Sequence, residues 1–340
     1  MDPISQGTVG AVFAQSTANK NNIAKIGAIG FLAGVAPDLD VLIRSSTDPV
    51  LFLEYHRQFT HSLFFIPLGA LIVSALVFPL VKKTLNFKTT YLASFLGYAT
   101  HGLLDACTSY GTLLFWPFSN ERVTWNNISI VDPILTIPAI IFLAMAVKKR
   151  RRQFSFLAVG WIVSYLALGL VQYERALSSG LKLAQSRGHS AQRITLKPSF
   201  GNLILWKSIY QHGDRFYVDA IRAGRTLTWC RGDNIKIFDY QHHLSDLERS
   251  SQQSKDIERF RWFSQDYLGF DDDKKLKKIN IYYGGPVHST NLFYLHQLGD
   301  LIEDSNQISD NIWTSGDFNQ IIEFINLNLR GNTFWILLSP

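Results

Sequence analysis

Hydrophobic residues are concentrated in the first half of the chain, where they form long runs separated by short polar breaks. The runs 63–81 and 154–171 each have the length of a tilted membrane-spanning helix. Shorter or less apolar runs cover residues 4–18, 23–35, 91–104 and 134–147. This pattern predicts an α-helical membrane bundle with about 4–6 membrane-embedded helices over residues 1–172.

The second half of the chain has the mixed composition of a soluble domain. Strand-like segments at 193–197, 203–210, 215–221 and 226–229 are separated by turns that contain glycine, which predicts an antiparallel meander. The pattern further predicts helices over 244–263 and 318–329 and strands over 278–283 and 333–338. We therefore expect a linker over 173–192 and a smaller α+β domain over 193–340.

The charge pattern predicts how the bundle is oriented. The chain carries a net charge of +6, and its basic residues form groups in the loops 19–25, 82–88 and 148–152. Basic loops beside apolar runs are typical of the cytoplasmic side of a membrane protein, so we expect contact with membrane lipids and no nucleic acid. With these loops in the cytoplasm, residues 174–340 are predicted to be extracytoplasmic.

Polar clusters stand at the ends of the apolar runs, on the face opposite the predicted cytoplasmic loops. The candidate metal ligands are His56, His61, His101, Asp105, Asp38 and Asp40, with Asp2 and Asp132 as weaker candidates. His101 and Asp105 are four residues apart and therefore lie on one face of a helix. Such imidazole and carboxylate ligands suit a divalent transition metal, zinc or manganese, as one ion or two.

Structural roles are open for several of these residues. The His101 and Asp105 pair could tie helices together as a buried hydrogen-bonded pair, and Asp132 before Pro133 could cap a helix. Thr60 is the predicted N-cap of the helix that carries His61 in its first turn. Arg57 could neutralise a phosphate or extend to a lipid headgroup.

The predicted chemistry is hydrolysis by water that a bound metal ion activates. No Gly-x-Ser-x-Gly elbow, phosphate-binding loop or dinucleotide fingerprint occurs in the chain. Cys107 and Cys230 lie in different regions, without the spacing of a thiolate zinc site. The candidate catalytic residues are His56, His61, Asp38 and Arg57.

The ordered set of motifs resembles the YdjM-like family of inner-membrane, metal-dependent hydrolases over about residues 1–172. The motifs are Asp2-Pro3-Ile4-Ser5, Pro37-Asp38-Leu39-Asp40, His56-Arg57-x-Phe59-Thr60-His61-Ser62, His101-Gly102-Leu103-Leu104-Asp105, Thr108-Ser109-Tyr110-Gly111-Thr112, Trp116-Pro117-Phe118 and Asp132-Pro133. The histidine and aspartate motifs are also distantly similar to the metal-binding helices of zinc-dependent phospholipases C and related nucleases.

This resemblance implies a multi-pass protein of the bacterial inner membrane with a metal-dependent hydrolase activity. A lipid-related or envelope-derived ester or phosphodiester is the expected class of substrate. Two other functions are compatible with the sequence. A transporter would use the carboxylates and histidines to relay protons or bind ions, although here they cluster at one end of the bundle. A membrane-anchored scaffold would use them as ties between helices.

Overall fold

The computed structural model describes residues 1–45, 48, 50–243, 248–271 and 277–280. The α-helices in these residues are α1 (Pro3–Gln15), α2 (Ile23–Val35), α3 (Leu51–Tyr55), α4 (Ile66–Val81), α5 (Phe87–Ala106), α6 (Pro133–Lys149), α7 (Gln153–Ser186), α8 (Tyr240–His243) and α9 (Gln252–Phe263). Three short 3₁₀ helices, Ala36–Leu42, Phe59–His61 and Leu63–Phe65, connect the helices around the polar clusters. The strands are β1 (Arg193–Pro198), β2 (Leu205–His212), β3 (Arg215–Ala223), β4 (Leu227–Cys230), β5 (Asn234–Ile237), β6 (Leu268–Asp271) and β7 (Lys277–Asn280).

Helices α1 and α2 form a closely packed hairpin. A Cβ atom on Gly10 would lie 2.6 Å from the carbonyl oxygen of Gly30, and one on Gly34 would lie 2.7 Å from the carbonyl oxygen of Gln6. Larger residues at these positions would push the helices apart, so the glycines permit a close backbone contact. This contact fixes the end of α2, where Asp38 follows.

Two segments in the described part of the chain are long and apolar enough to span a membrane, Leu63–Val81 and Gln153–Ser186. The expectation of about 4–6 membrane-embedded helices is therefore not confirmed. Helices α1 and α2 have 13 residues each and α6 has 17. A full span needs about 20 apolar residues, and α5 reaches that length only with polar residues in its last turn.

The loops of the helical region meet at two opposite ends. At one end, Ala18, Ile23, Leu85 and Ala146 belong to a single buried cluster against which Phe154 packs. These residues flank the three basic loops, so those loops lie at the same end of the bundle. The polar clusters lie at the other end, where α2 and α5 end and α4 begins.

Helix α7 is much longer than the predicted span. It continues to Ser186, so residues 173–186 of the predicted linker are helical. The reason is a second apolar stripe, in which Ala176 and Leu183 face the sheet and pack against Leu196, Trp206 and Ile221. A helix that buries one face against a sheet is stabilised by that packing, whatever the polarity of its other face.

The strands form one antiparallel sheet in the order β1-β2-β3-β5-β6-β7, with β4 also paired to β3. The predicted meander is confirmed. The face away from α7 buries Ile209, Phe216, Val218, Ile235 and Tyr267. The predicted helix 244–263 corresponds to α9, and the predicted strand at 278–283 to β7, as far as the structure describes them. The elements predicted over 318–329 and 333–338 lie outside the described residues.

Candidate metal centre

Three segments bring the central residues together. Asp38 lies in the 3₁₀ helix after α2, His61 ends the 3₁₀ helix before α4, and His101 and Asp105 occupy the last turns of α5. A Cβ on Gly102 would lie 2.2 Å from the carbonyl oxygen of His61. Glycine at this position therefore lets the His61 segment lie directly against α5, between His101 and Asp105.

Four ligand atoms form a compact group. His61 Nε2 lies 2.9 Å from His101 Nε2. Asp38 Oδ1 lies 3.4 Å from His61 Nε2 and 3.3 Å from His101 Nε2. Asp105 Oδ2 lies 3.3 Å and 3.4 Å from the same two nitrogens. Ligands about 2.0–2.1 Å from a tetrahedral zinc ion lie about 3.3–3.4 Å from one another. The four distances between a histidine nitrogen and a carboxylate oxygen match this value, whereas the two nitrogens lie closer together.

The hydrogen bonds around the two rings direct both Nε2 atoms into this group. His101 Nδ1 lies 2.6 Å from the carbonyl oxygen of Gly34, which can only accept a hydrogen bond. Nδ1 therefore carries the proton, and Nε2 of a neutral His101 keeps its lone pair. His61 Nδ1 lies 2.9 Å from the Thr60 hydroxyl. A hydrogen bond at the ring nitrogen that does not bind the metal fixes the tautomer and orientation of a metal-binding histidine.

Asp40 holds the two histidine segments in place. Its Oδ2 accepts hydrogen bonds from the backbone N–H of Arg57 at 3.0 Å and from the Thr60 hydroxyl at 2.9 Å. Its Oδ1 lies 2.8 Å from His56 Nδ1, and its Oδ2 lies 3.2 Å from His61 Nδ1. Both oxygens are thus engaged in orienting other groups. Asp40 lies behind His61 rather than among the four closest ligand atoms.

His56 borders the group on its more exposed side. Its ring centroid lies 5.8 Å from that of His61, so the two rings converge as the sequence predicts. With Asp38 and Asp40 it forms a second set of groups that could hold a metal ion. Its side chain is 12% exposed and that of Asp38 is 18% exposed, whereas His61, His101 and Asp105 are fully buried. Solvent therefore reaches the group past Asp38 and His56.

Asp105 provides the test of whether the residues fit a metal. Its Oδ1 atom accepts a hydrogen bond from Gln6 Nε2 at 2.9 Å and contacts the Met1 amine and Arg57 Nη2. Its Oδ2 atom is buried without a hydrogen bond. A buried carboxylate oxygen without a donor is costly, and a cation between the four ligand atoms would remove that cost. The residues therefore fit a metal ion.

Arg57 lies beside this carboxylate in a strained backbone conformation. Its φ of 63° falls in the left-handed region, which costs a residue with a Cβ about 1–3 kcal/mol. Hydrogen bonds on both sides hold it there, from its N–H to Asp40 and from the Leu113 N–H to its carbonyl oxygen. Its guanidinium group stacks 4.5 Å from the ring of Tyr110 and donates to the Thr108 hydroxyl. Arg57 is buried and does not extend to the surface.

Charge around the site favours a cation. Burial alone would raise the pKa of Asp38 and Asp40, but hydrogen bonds to the histidines hold both well below the usual value. Burial lowers the pKa of His61, but the adjacent carboxylates of Asp105, Asp38 and Asp40 outweigh this and raise it to about 10. Without a metal, His61 is therefore protonated at neutral pH and can donate from Nε2 to His101 Nε2. That proton occupies the position between the ligands.

The pKa of His56 is lowered, in contrast to that of His61. Burial lowers its pKa, and the charges of Arg57 and His61 add to this, against the effect of Asp40. His56 is therefore neutral at pH 7. A neutral imidazole at the exposed side of the site can accept a proton from water.

The other candidate residues serve as helix caps. Asp2 accepts a hydrogen bond from the Ser5 N–H at the start of α1. Asp132 accepts one from the Leu135 N–H, and its two carboxylate oxygens share the single proton of the Tyr165 hydroxyl at 2.9 and 3.0 Å. Capping was the alternative for Asp132, and it accounts for both residues. The predicted cap at Thr60 is wrong: Ser62 caps the following 3₁₀ helix through the Phe65 N–H, because the Thr60 hydroxyl is already bonded to Asp40.

Helix α9 of the sheet region packs beside the exposed side of the site. The Phe263 ring lies 5.4 Å from the ring of Tyr110, which in turn lies 5.4 Å from that of His56. Arg259 forms ion pairs with Asp48 at 2.9 Å and Glu54 at 2.8 Å, on the segment that leads to His56. Sequence reasoning found neither this contact nor the role of Gln6, because a lone glutamine in a small-residue helix carries no motif.

Comparison with known proteins agrees with the helical part of this description. The model of a family described as YdjM inner membrane protein matches residues 1–176. A second family model, described as AlgH-like, matches residues 246–338, most of which lie outside the described residues. No solved structure matches the chain.

Two relatives illustrate the two parts of the chain. The uncharacterized protein YfhP of Bacillus subtilis (strain 168) is 24% identical over 279 residues, which cover 80% of this chain and 82% of YfhP. A UPF0301 protein of Parabacteroides distasonis is 40% identical over 57 residues, which cover 16% of this chain and 29% of that protein. The second likeness is local, whereas the first extends over both regions.

The residues of the candidate metal centre all lie within the segment that the first family model matches. They could hold a metal ion, and their mixed nitrogen and oxygen donors suit zinc and manganese alike. Because that model covers more than half of the chain, the chain belongs to the YdjM inner membrane protein family.

Proposed function

We propose that the protein is a membrane-bound, metal-dependent hydrolase with its site on the extracytoplasmic face. The observation that carries this proposal is the group of four ligand atoms, in which the buried Asp105 Oδ2 has no hydrogen bond. His61, His101, Asp38 and Asp105 would hold the ion. A metal ion in such a site supplies a Lewis acid and a water molecule of lowered pKa.

The surrounding residues support hydrolysis rather than a purely structural role for this ion. The site reaches solvent past Asp38 and His56, so a water molecule would enter there as a further ligand or in place of the partly exposed Asp38, because four protein ligands alone would fill a tetrahedral ion. His56, neutral and oriented by Asp40, would take the proton that the attacking water loses. Arg57 places a buried positive charge beside Asp105, which would favour a substrate that carries negative charge.

The substrate class follows from the position of the site. A group at the end of a membrane bundle, with a cation nearby, suits an ester or phosphodiester derived from a lipid or from the envelope. The basic loops lie at the opposite end of the bundle, so under the positive-inside rule the site would face outward.

The first experiment separates metal binding from turnover. The whole chain is purified in neutral detergent without chelators, and its metal content and hydrolysis of bis(p-nitrophenyl) phosphate and p-nitrophenyl acetate are measured. We expect His56→Gln to keep the metal and lose at least about 100-fold in turnover, as is typical for loss of a general base. His101→Ala should lose both. Unchanged turnover in His101→Ala would support the scaffold function in place of the hydrolase.

The second experiment tests the orientation and uses the native cysteines. Cys230 is exposed on β4, and Cys107 is buried beside α5. A membrane-impermeant maleimide should label Cys230 in intact cells if the sheet region is extracytoplasmic. In a Cys230→Ser background, a cysteine at the exposed Thr84 should be labelled only after permeabilisation. The reverse pattern would place the site in the cytoplasm.

A further inference from the structure

A basic cavity lies at the end of the bundle opposite the candidate metal centre. It has a volume of about 670 Å³ and lies between the α1–α2 loop and the α6–α7 loop. The charged and amide residues that line it are Asn19, Lys20, Arg150, Arg151, Arg152 and Gln153. None of the described residues that line this basic cavity is acidic, so four cationic side chains face one space.

Buried contacts fix the walls of the basic cavity. The amide of Gln15 donates to the carbonyl oxygen of Ile23 at 3.3 Å and accepts from the Ser155 hydroxyl at 3.1 Å. This bridge joins the α1–α2 loop to the first turn of α7. Ala18 and Phe154 also pack in the same apolar cluster. The two loops are therefore held at a defined separation, and the cavity between them is part of the folded structure.

The start of α7 adds a further positive potential. Arg152 is the N-cap residue, and its side chain makes no hydrogen bond to the first turn. The free N–H groups of a helix N-terminus carry a partial positive charge and favour an anion. This potential and the four cationic side chains act on the same space, and an anion of one or two charges would satisfy both.

The apolar surface beside the basic cavity distinguishes a lipid from a small free anion. Gln153 begins a segment that is long and apolar enough to span a membrane. Phe156 and Leu157, one turn beyond the cavity, are 53% and 55% exposed. A molecule with a phosphate group and acyl chains would contact both the cavity and this surface. A free phosphate ion would use only the cavity.

We propose that the basic cavity binds the phosphate-containing headgroup of an anionic phospholipid, with the acyl chains along the first turns of α7. This site is independent of the proposed hydrolysis and lies at the other end of the bundle. Basic pockets between membrane helices on the cytoplasmic side commonly bind anionic headgroups. The protein would thus have two lipid-facing ends, one that holds a headgroup and one that carries the metal centre.

The test uses the whole chain in neutral detergent. Thermal unfolding is followed while phosphatidylglycerol, phosphatidylcholine or inorganic phosphate is added. A ligand at free concentration L that binds the folded state stabilises it by RT ln(1 + L/Kd), so the dependence of the melting temperature on ligand concentration gives the half-saturating concentration. We expect the melting temperature to rise with the logarithm of the phosphatidylglycerol concentration above its half-saturating value, and phosphatidylcholine and phosphate to have little effect. An equal shift with inorganic phosphate would overturn the lipid assignment, because the acyl contacts would then contribute nothing.

Two triple variants provide the matched comparison. R150Q/R151Q/R152Q removes three charges from the basic cavity, and K82Q/K83Q/K88Q removes three exposed charges from a loop at the same end. At about 1 kcal/mol per basic residue, the first should raise the half-saturating phosphatidylglycerol concentration about 100-fold. The second should raise it less than about 3-fold, since screening weakens distant charges.

A single variant keeps the test valid if the triple variant does not fold. Lys20→Gln changes an exposed residue on the other wall of the basic cavity, and it should raise the half-saturating concentration about 5-fold. An unchanged melting temperature in the absence of added lipid shows that each variant is folded. Equal effects of the two triple variants, or no effect of Lys20→Gln, would mean that general loop charge attracts the lipid and that the cavity is not a site.

Discussion

Both ends of the helical bundle carry charged residues, but these residues are buried at one end and exposed at the other. At the metal-centre end, His61, His101 and Asp105 are fully buried and each has a defined neighbour. At the basic end, the residues 148–152 are exposed. Burying a charge is costly unless it is paired, so the charged residues at the metal-centre end are stable only when all of their partners are in place.

This difference predicts how each end responds to change. A buried polar network depends on every member, and removing one leaves the others unsatisfied. Exposed charges act nearly independently and are screened by salt. Substitutions at the metal-centre end should therefore have large effects that involve several residues, and substitutions at the basic end should have small, additive ones.

The largest expected effect is the loss of the metal. His101→Ala removes one of the four ligand atoms and the bond to Gly34, so we expect no stoichiometric metal after purification without chelators. Elemental analysis of the purified protein measures this. Lys148→Ala, at the exposed end, is the control and should keep full occupancy. Full occupancy in His101→Ala would show that the four atoms do not form the site.

The next effect is a weakening of metal affinity without its loss. Asp40→Asn removes the charge that orients His61 and His56, and a change of this kind typically costs about 10- to 100-fold in affinity. Competition with a chromophoric chelator measures the dissociation constant. Asp132→Asn is a matched control, because asparagine also caps helices and Asp132 lies outside the ligand group. Equal affinities of the two variants would contradict the role of Asp40.

The pH dependence of metal binding is a third, smaller effect. Because the pKa of His61 is raised to about 10 in the metal-free protein, a metal ion must displace its proton at neutral pH. Affinity should therefore rise about tenfold per pH unit between pH 7 and 9, with about one proton released per ion. Calorimetry in two buffers of different ionisation enthalpy measures the protons. An affinity independent of pH would mean that His61 is neutral before the metal binds.

The sequence predicted the general location of the site better than its internal roles. The i, i+4 spacing places His101 and Asp105 on one face of α5 because helical periodicity is a local property. The function of Asp40 depends instead on the turn that brings Arg57 and Thr60 to it, and no pattern along the chain encodes that contact. Asp40 is a predicted ligand that orients both histidines in the structure, and it also belongs, with Asp38 and His56, to a second group that could hold a metal ion.

The same distinction applies to the fold. Glycine-containing turns and short alternating segments predicted the meander β1 to β4, since hairpins are built from neighbouring residues. The length of α7 was not predicted, because its second half is stabilised by contact with Trp206 and Ile221 of the sheet. The small and polar residues that made this half resemble a linker include Ser179 and Gly180, and both are buried in the structure.

The fourth prediction concerns a hydrogen bond at the metal-centre end. Thr60→Val keeps the shape of the side chain but leaves Asp40 Oδ2 without its hydroxyl donor and His61 Nδ1 without its 2.9 Å neighbour. A hydrogen bond to a charged group contributes about 1.5–3 kcal/mol, so the free energy of unfolding should fall by about that amount. Thermal or denaturant unfolding in detergent measures it. A loss below about 0.5 kcal/mol would mean that the network is not cooperative.

The smallest expected effect is that of the corresponding threonine-to-valine substitution at the basic end. Lys25 Nζ donates to the Thr84 hydroxyl at 2.9 Å, and this bond joins the first turn of α2 to the α4–α5 loop, but both groups are exposed. Water replaces an exposed partner at little cost, so Thr84→Val should lower the free energy of unfolding by less than about 0.5 kcal/mol. Thr60→Val and Thr84→Val remove the same hydroxyl, so burial is the main difference between them. If Thr84→Val destabilises as much as Thr60→Val, the basic end is as tightly coupled as the metal-centre end, and the contrast between them does not hold.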